Sequence, residues 1–180
     1  FQTTFANEIF HPIEQQISIY KTLTDAGDAF DLRMFGMYAM ESMRLEKGYL
    51  GWKSEMNVHH TPLETPVAWT VKWDKDFIGK SGLEKQKTAG VPRQLVCMSV
   101  TAEGADPWGY NPIFNGDEMV GMTSSGGYGH RVEQSIALGY VPQALATPGT
   151  RLMVEVLGKK LPAQVVAMPL YDPKNERMKS

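Results

Sequence analysis

Several stretches of the 180-residue sequence carry side chains that could do chemistry. The adjacent pair His59-His60 invites a metal reading. Neighbouring histidines project differently, though, and no cysteine or carboxylate stands at a finger-like spacing, so the pair reads as part of a loop. Ser124-Ser-Gly-Gly-Tyr-Gly129 has the composition of a phosphate loop but lacks the Lys-Ser/Thr that follows one. It reads as a flexible β-loop. Cys97 sits in the apolar run Leu95-Val-Cys-Met-Ser-Val100, which suits a buried inert thiol better than a nucleophile. The four histidines fall in turns or loops without a matched partner, so no Ser-His-Asp or Cys-His constellation can be assembled. By residue type alone, Glu8 is an exposed side chain on a strand. In Arg44-Leu-Glu-Lys-Gly-Tyr49, Arg44 and Glu46 read as anchors of a helix, and Tyr49 as an aromatic packed just past its end.

The elements that must position these residues follow from periodicity. Phe5-Ala-Asn-Glu-Ile-Phe10 alternates apolar and polar side chains and predicts a half-buried strand carrying Glu8. Pro12 suits a helix entry, and Ile13, Ile17, Tyr20 and Leu23 mark one apolar helical face ending near Gly27. A second helix is predicted from about Phe35 to Lys47, with Gly48 past its C-terminus and Phe35, Tyr38, Ala39, Met43 and Leu45 as core candidates. Pro62 and Pro66 exclude regular structure around them. Val67-Ala-Trp-Thr-Val-Lys-Trp73 alternates as a strand would, and a short helix is expected near Ser81 to Thr88. Beyond Gly90, strand-like runs come at short intervals: Arg93 to Thr101, Ile113-Phe114, Glu118 to Thr123, Ser135 to Tyr140, Arg151 to Leu157 and Leu161 to Met168. Turn residues separate them, with Lys159-Lys160 placed at a turn. That pattern predicts a compact all-β barrel or sandwich. The fold class is therefore α+β, with a boundary near residue 90: an α/β segment over 1–90, then a small antiparallel β-barrel over 91–180.

A formal charge of −2, with lysines and arginines scattered among acids, gives no basic stripe and argues against nucleic acid or anionic membrane as partners. No apolar run approaches the ~18 residues of a membrane span. One cysteine cannot form an intrachain disulfide, which favours a reducing compartment. There is no signal-like start, and the chain opens at Phe1 directly into an expected strand, as a piece cut from a longer protein would.

Glu41-Ser-Met-Arg-Leu-Glu-Lys-Gly-Tyr49, then Thr61-Pro-Leu-Glu64 and Asp76-Phe-Ile-Gly-Lys80, resembles the aminomethyltransferase family, which includes the T-protein of the glycine cleavage system. Val120-Gly-Met-Thr-Ser-Ser-Gly-Gly127, Ala137-Leu-Gly-Tyr-Val-Pro142, Pro148-Gly-Thr150, Val154-Glu-Val156, Pro162-Ala163 and Pro169-Leu-Tyr-Asp-Pro173 are similar to its C-terminal barrel. Within the family, Arg44-Leu-Glu-Lys-Gly48, Gly51-Trp52 with Glu55-Met56-Asn57, and Arg93-Gln-Leu-Val-Cys97 resemble the folate domains of dimethylglycine and sarcosine dehydrogenases. Met40 stands where glycine-cleavage members carry arginine, in keeping with that subgroup. Ala6-Asn7 replaces a Gly-Tyr pair.

The resemblance implies that residues 1–90 are the C-terminal portion of a folate-binding domain and that two residues contact tetrahydrofolate. Glu8 would accept the pterin ring N–H and exocyclic amine in a fork. Tyr49 would lie against the flat ring or its benzoyl tail. The family's catalytic aspartate lies upstream of anything in this chain, so no catalytic residue is assigned and the fragment alone should be inactive. In the intact protein, FAD in a preceding domain would oxidise a small N-methylated amine, and the resulting one-carbon unit would pass to tetrahydrofolate. The further partner would be the remainder of its own chain. Localisation would be cytoplasmic, or mitochondrial in an animal. Three alternatives stand: a free-standing aminomethyltransferase, a folate-dependent demethylase of the same fold, and a scaffold domain that has lost folate.

Overall fold

The structure, a computed structural model, describes residues 9–179. Glu8 and most of the strand expected over 5–10 lie outside the described residues. Three helices precede the sheet: α1 (Gln16–Gly27), entered through a 3₁₀ turn at Ile13–Gln15, α2 (Met37–Lys47) and α3 (Lys80–Ala89). Six strands follow: β1 (Arg93–Val100), β2 (Pro112–Asn115), β3 (Glu118–Gly129), β4 (Gln134–Pro142), β5 (Arg151–Val156) and β6 (Lys159–Val166), with a last helical turn, α4 (Glu176–Lys179). The strands close into an antiparallel barrel in the order β1-β4-β3-β2-β5-β6, β6 returning to β1 through Cys97↔Val166 to Val100↔Ala163. The α+β class and the barrel are as the sequence predicts.

Side-chain alternation divides the core in two. Val96, Met98 and Val100 of β1, Ala137 and Val141 of β4, and Leu152, Val154 and Val156 of β5 fill the barrel with Ile113 and Val165. The intervening residues of β1 and β4, Leu95, Cys97, Ile136, Leu138 and Tyr140, face outward and meet Leu45 of α2. Both faces of β4 are thus covered, which is why its apolar run is nearly continuous. Burial pushes the Cys97 thiol up to about 12, as befits an inert packing residue.

Three expectations are corrected. Val67–Trp73 is not a strand. Its amides donate three residues back, Ala68 to Thr65, Thr70 to Val67 and Val71 to Ala68, giving a 3₁₀ turn at Ala68–Thr70 behind Pro66. Ser124–Gly129 is not a flexible loop but the second half of β3, paired to β4 from Ser125↔Leu138 to Gly129↔Gln134. Its glycines serve close approach: a Cβ on Gly126 would stand 2.6 Å from the Pro107 carbonyl oxygen. Lys159 and Lys160 begin β6, the turn lying one step earlier at Leu157-Gly158, both at positive φ.

The apolar faces of the helices also differ from expectation. Ile17, Tyr20 and Leu23 fall on α1 as predicted, with Ile13 in the 3₁₀ turn before it, but all four are exposed. Phe35, just before α2, and Tyr38 and Ala39 on it are exposed, whereas Ser42, Leu45 and Glu46 are buried. The face that meets the barrel is polar at two of those three positions. Ser42 donates to the Tyr128 carbonyl at 2.8 Å, and Glu46 accepts the Arg131 and Val132 amides at 2.5 and 3.1 Å. Among the described residues no helix is long and apolar enough to cross a membrane.

Candidate functional site

The Arg44–Tyr49 segment wraps the C-terminus of α2 over the barrel. Gly48 takes the left-handed conformation (φ 66°) that ends the helix, and the Gly48 and Tyr49 amides donate back to Leu45 and Arg44. Each motif residue has a separate anchor. Leu45 enters the core, Glu46 caps the turn after β3, and Lys47 donates to the Asp172 carboxylate and carbonyl at 3.0 and 2.7 Å. Hydrogen bonding by Lys47 draws the Asp172 carboxyl below its ordinary value against the opposing effect of burial.

Arg44 is the most heavily engaged. Its Nε and Nη2 donate to Glu41 Oε2 at 2.9 and 2.6 Å, Nη2 also to Ser125 Oγ at 3.1 Å, and Nη1 to the Tyr49 carbonyl at 2.9 Å and Glu55 Oε2 at 3.1 Å. A guanidinium has five N–H groups, and these contacts use them all. Arg44 is thus an anchor with no donor left for a ligand, as its helix-end position suggested.

Glu55, to which the sequence assigned no role, sits behind Arg44. Its side chain is fully buried. Oε2 accepts from the Gly51 amide at 2.7 Å and Ser54 Oγ at 2.8 Å as well as from Arg44, and Oε1 accepts from Ser124 at 2.7 Å and from Ser125. Successive strand residues normally point to opposite faces. A bulge in β3, between Thr123 and Ser125, lets both serines reach one carboxylate. Burial pushes the Glu55 carboxyl up, but the four donors outweigh it and hold the group below its ordinary range. Tyr140 adds a hydrogen bond from its hydroxyl to the Glu55 carbonyl at 2.8 Å.

A second buried carboxylate closes the Thr61-Pro-Leu-Glu64 phrase. Glu64 Oε2 accepts the Thr61 amide at 2.8 Å, a capping box, and Oε1 accepts Arg93 Nε at 2.9 Å. Burial raises the Glu64 carboxyl, and the Thr61 and Arg93 donors more than offset this. His59 contributes its carbonyl to Arg93 at 2.9 Å. His60 stacks on Tyr140 with centroids 3.8 Å apart, and its Nδ1 is buried without a partner among the described residues. Burial first, and then the Arg93 cation, lowers its proton affinity. A histidine whose folded pKa is depressed stabilises the fold most above its ordinary value of 6.5, where it is neutral in both states. Below that value the unfolded chain takes up the proton first, and stability falls. His60→Phe keeps the stacked ring and removes the proton. The drop in melting temperature between pH 7.5 and 5.5 is expected to shrink in this variant; an unchanged slope would clear His60 of the effect.

Of the two residues expected to contact folate, the structure describes one. Glu8 lies outside the described residues. Tyr49 is 49 % exposed, directly beyond the α2 terminus. A groove of about 280 Å³ runs between α2 and β3, lined by Tyr38, Glu41, Ser42, Trp108, Tyr128 and His130; Tyr49 is not part of its lining. The sequence did not single out Glu55, Glu64 or this groove. Gly51-Trp52 with Glu55-Met56-Asn57 carries only a family resemblance in the sequence, since the partners of Glu55 on β3 lie 69 and 70 residues away.

Residues 1–75 match the family described as the GCVT N-terminal domain, and residues 93–172 the family described as the glycine cleavage T-protein C-terminal barrel domain. The chain is 39 % identical over 165 residues to mitochondrial dimethylglycine dehydrogenase of Mus musculus, covering 91 % of this chain and 19 % of that protein. It is 32 % identical over 163 residues to the aminomethyltransferase of Halothermothrix orenii, covering 90 % and 45 %. A solved structure, glycine cleavage system aminomethyltransferase T from Bartonella henselae, superposes with a TM-score of 0.77 at 25 % identity, over 87 % of this chain and 44 % of the other. The chain therefore spans less than half the length of each of these relatives. With a barrel of this topology behind an Arg-Leu-Glu-Lys-Gly-Tyr helix end, and with matches to both domains of one family in order, the chain belongs to the glycine cleavage T-protein (aminomethyltransferase) family.

Proposed function

We propose that this chain is the C-terminal part of a folate-dependent one-carbon transfer enzyme of the dimethylglycine/sarcosine dehydrogenase type, which passes an oxidised N-methyl carbon to tetrahydrofolate. The observation that carries this reading is the 39 % identity to mouse dimethylglycine dehydrogenase across 91 % of the chain. Residues 1–90 would form the end of the folate-binding domain and residues 91–180 the barrel that backs it. The exposed stripe Ile13, Ile17, Tyr20 and Leu23, running from the 3₁₀ turn onto α1, would pack against the remainder of its own chain.

The folate contacts would be Glu8 and Tyr49. The Tyr49 site suits a flat heterocycle: its backbone is fixed, its ring is half open, and an aromatic face offers stacking at small entropic cost. Tetrahydrofolate, when bound, supplies the amine that takes up the carbon. The chain's own residues would bind it, orient it and keep water from the reactive iminium. FAD would be held elsewhere in the protein, because the glycine-rich run here is paired inside β3 instead of opening a helix.

The test is titration of the full-length protein with tetrahydrofolate. Saturable binding is expected, weakened roughly 10- to 100-fold by Glu8→Ala through loss of a charge-assisted fork, and roughly 3- to 10-fold by Tyr49→Ala. Absent binding, or affinities unchanged in both variants, would leave the scaffold reading. The similarity to the Halothermothrix orenii protein keeps a free-standing aminomethyltransferase as the second reading. Flavin bound to the purified full-length protein decides against it.

A further inference from the structure

We infer that Glu55 is a positioning residue for the tetrahydrofolate-facing ring of Tyr49, acting through Arg44; this rests on the folate reading of Tyr49 given above. The geometry points to it because one residue holds both main-chain polar groups of Tyr49. The Tyr49 amide donates to the Arg44 carbonyl at 3.0 Å, and the Arg44 guanidinium donates to the Tyr49 carbonyl at 2.9 Å. The backbone from which the ring projects is thus tied to Arg44, at its carbonyl side by the guanidinium.

That guanidinium is set in turn by three groups: Glu41, Ser125 and Glu55. They are not equivalent. The Glu41 side chain is 40 % exposed and lies on α2 itself, three residues before Arg44, so it cannot fix the helix end against the barrel. The Ser125 hydroxyl accepts from Arg44 and donates to Glu55 Oε1, so its own direction depends on that carboxylate. Only Glu55 joins Arg44 at once to the Gly51–Glu55 turn through Gly51 and Ser54, and to β3 through Ser124 and Ser125. The chain of control runs from the barrel bulge through Glu55 and Arg44 to Tyr49. None of these anchors needs to touch the ligand.

Neutral glutamine in place of Glu55 keeps the shape but turns one acceptor oxygen into an NH2 group. That group faces either the two serines or the Gly51 amide and Arg44, all of them donors in the wild type. In the full-length protein, tetrahydrofolate affinity is measured for the wild type, Glu55→Gln, Tyr49→Ala and the double variant, with thermal melts confirming folding. Glu55→Gln is expected to raise the Kd by no more than Tyr49→Ala does, roughly 3- to 10-fold, in the wild-type background and to add nothing once Tyr49 is alanine. A structural effect that bypassed Tyr49 would add in both backgrounds, and that result overturns the inference. So does an unchanged Kd in folded Glu55→Gln. Should Glu55→Gln not fold, Arg44→Lys serves in its place, since one ammonium cannot reach the Tyr49 carbonyl and both carboxylates together; the same additivity decides. A Kd unchanged by Tyr49→Ala overturns the folate reading of Tyr49 and this inference with it. A Kd raised by Tyr49→Ala but untouched in Glu55→Gln and Arg44→Lys overturns the inference alone.

Discussion

Glu55→Ala is expected to lower the unfolding free energy by about 3–5 kcal/mol, the cost of removing one member of a buried ion pair and leaving the other uncompensated. The carboxylate has no exposed surface, and five contacts converge on it, from the Gly51 amide, three serine hydroxyls and Arg44. Alanine satisfies none of these donors, and water has little access to replace them. Glu41→Ala removes the other carboxylate on Arg44, but at a partly solvated position, and should cost about 1 kcal/mol or less. Urea unfolding of the two variants of the full-length protein makes the comparison. Equal losses would mean that Arg44 draws its support from the helix surface and not from Glu55. An acid titration gives an independent check. A carboxylate held below its ordinary value stabilises the fold above that value, and the contribution is lost as pH falls through the folded pKa. Stability of the wild type should therefore decline below about pH 4.5 more steeply than that of Glu55→Ala.

Local pattern made much of the fold legible, and it failed where long-range polar contacts decide. The runs at Arg93 to Thr101 and Ser135 to Tyr140 read as strands because β-branched and apolar side chains recur there between turn residues, and β1 and β4 occupy them. Gly48 marked the end of α2 because a left-handed residue was needed there. Val67–Trp73 has the same alternation as a strand, yet among the described residues it pairs with no strand, and amides within it are satisfied locally. The reading of α2 went astray for a related reason. Periodicity looks for an apolar stripe, and this helix docks through Ser42 and Glu46, whose hydrogen-bond partners lie 85 to 88 residues away. Glu55 was invisible on the same grounds: an acid in a Gly-Trp-Lys-Ser-Glu turn has every mark of a solvated side chain until the bulge in β3 brings two hydroxyls to it. The folate role proposed for Tyr49 rests on family resemblance alone. Arg44 was legible from its place at a helix end, although nothing in the sequence says that all five of its donors are spoken for.

The two ways in which α2 is held can be weighed against each other at Leu45. Its side chain is 2 % exposed and packs with Leu95, Cys97, Ile136, Leu138 and Tyr140, between the polar anchors made by Arg44 and Glu46 on either side. Gly127 beneath it leaves the space: a Cβ there would come within 3.3 Å of Leu45 Cδ1. If the polar anchors alone docked the helix, truncating Leu45 would cost little, because every hydrogen bond described above would survive it. Hydrogen bonds exchange for bonds to water on unfolding, whereas a buried leucine loses both its transfer free energy and the contacts around the cavity it leaves. Leu45→Ala is therefore expected to cost about 2–5 kcal/mol. Amide hydrogen exchange should show the loss centred on α2, with the β5–β6 side of the barrel still protected, because Leu45 belongs to the outer cluster and Val154, Val156, Ala163 and Val165 to the inner one. A cost below 1 kcal/mol would assign the docking of the helix to its charges. A uniform loss of protection through the barrel would show instead that the two clusters unfold as one, and that the ring of Tyr49 is held no more firmly than the barrel itself.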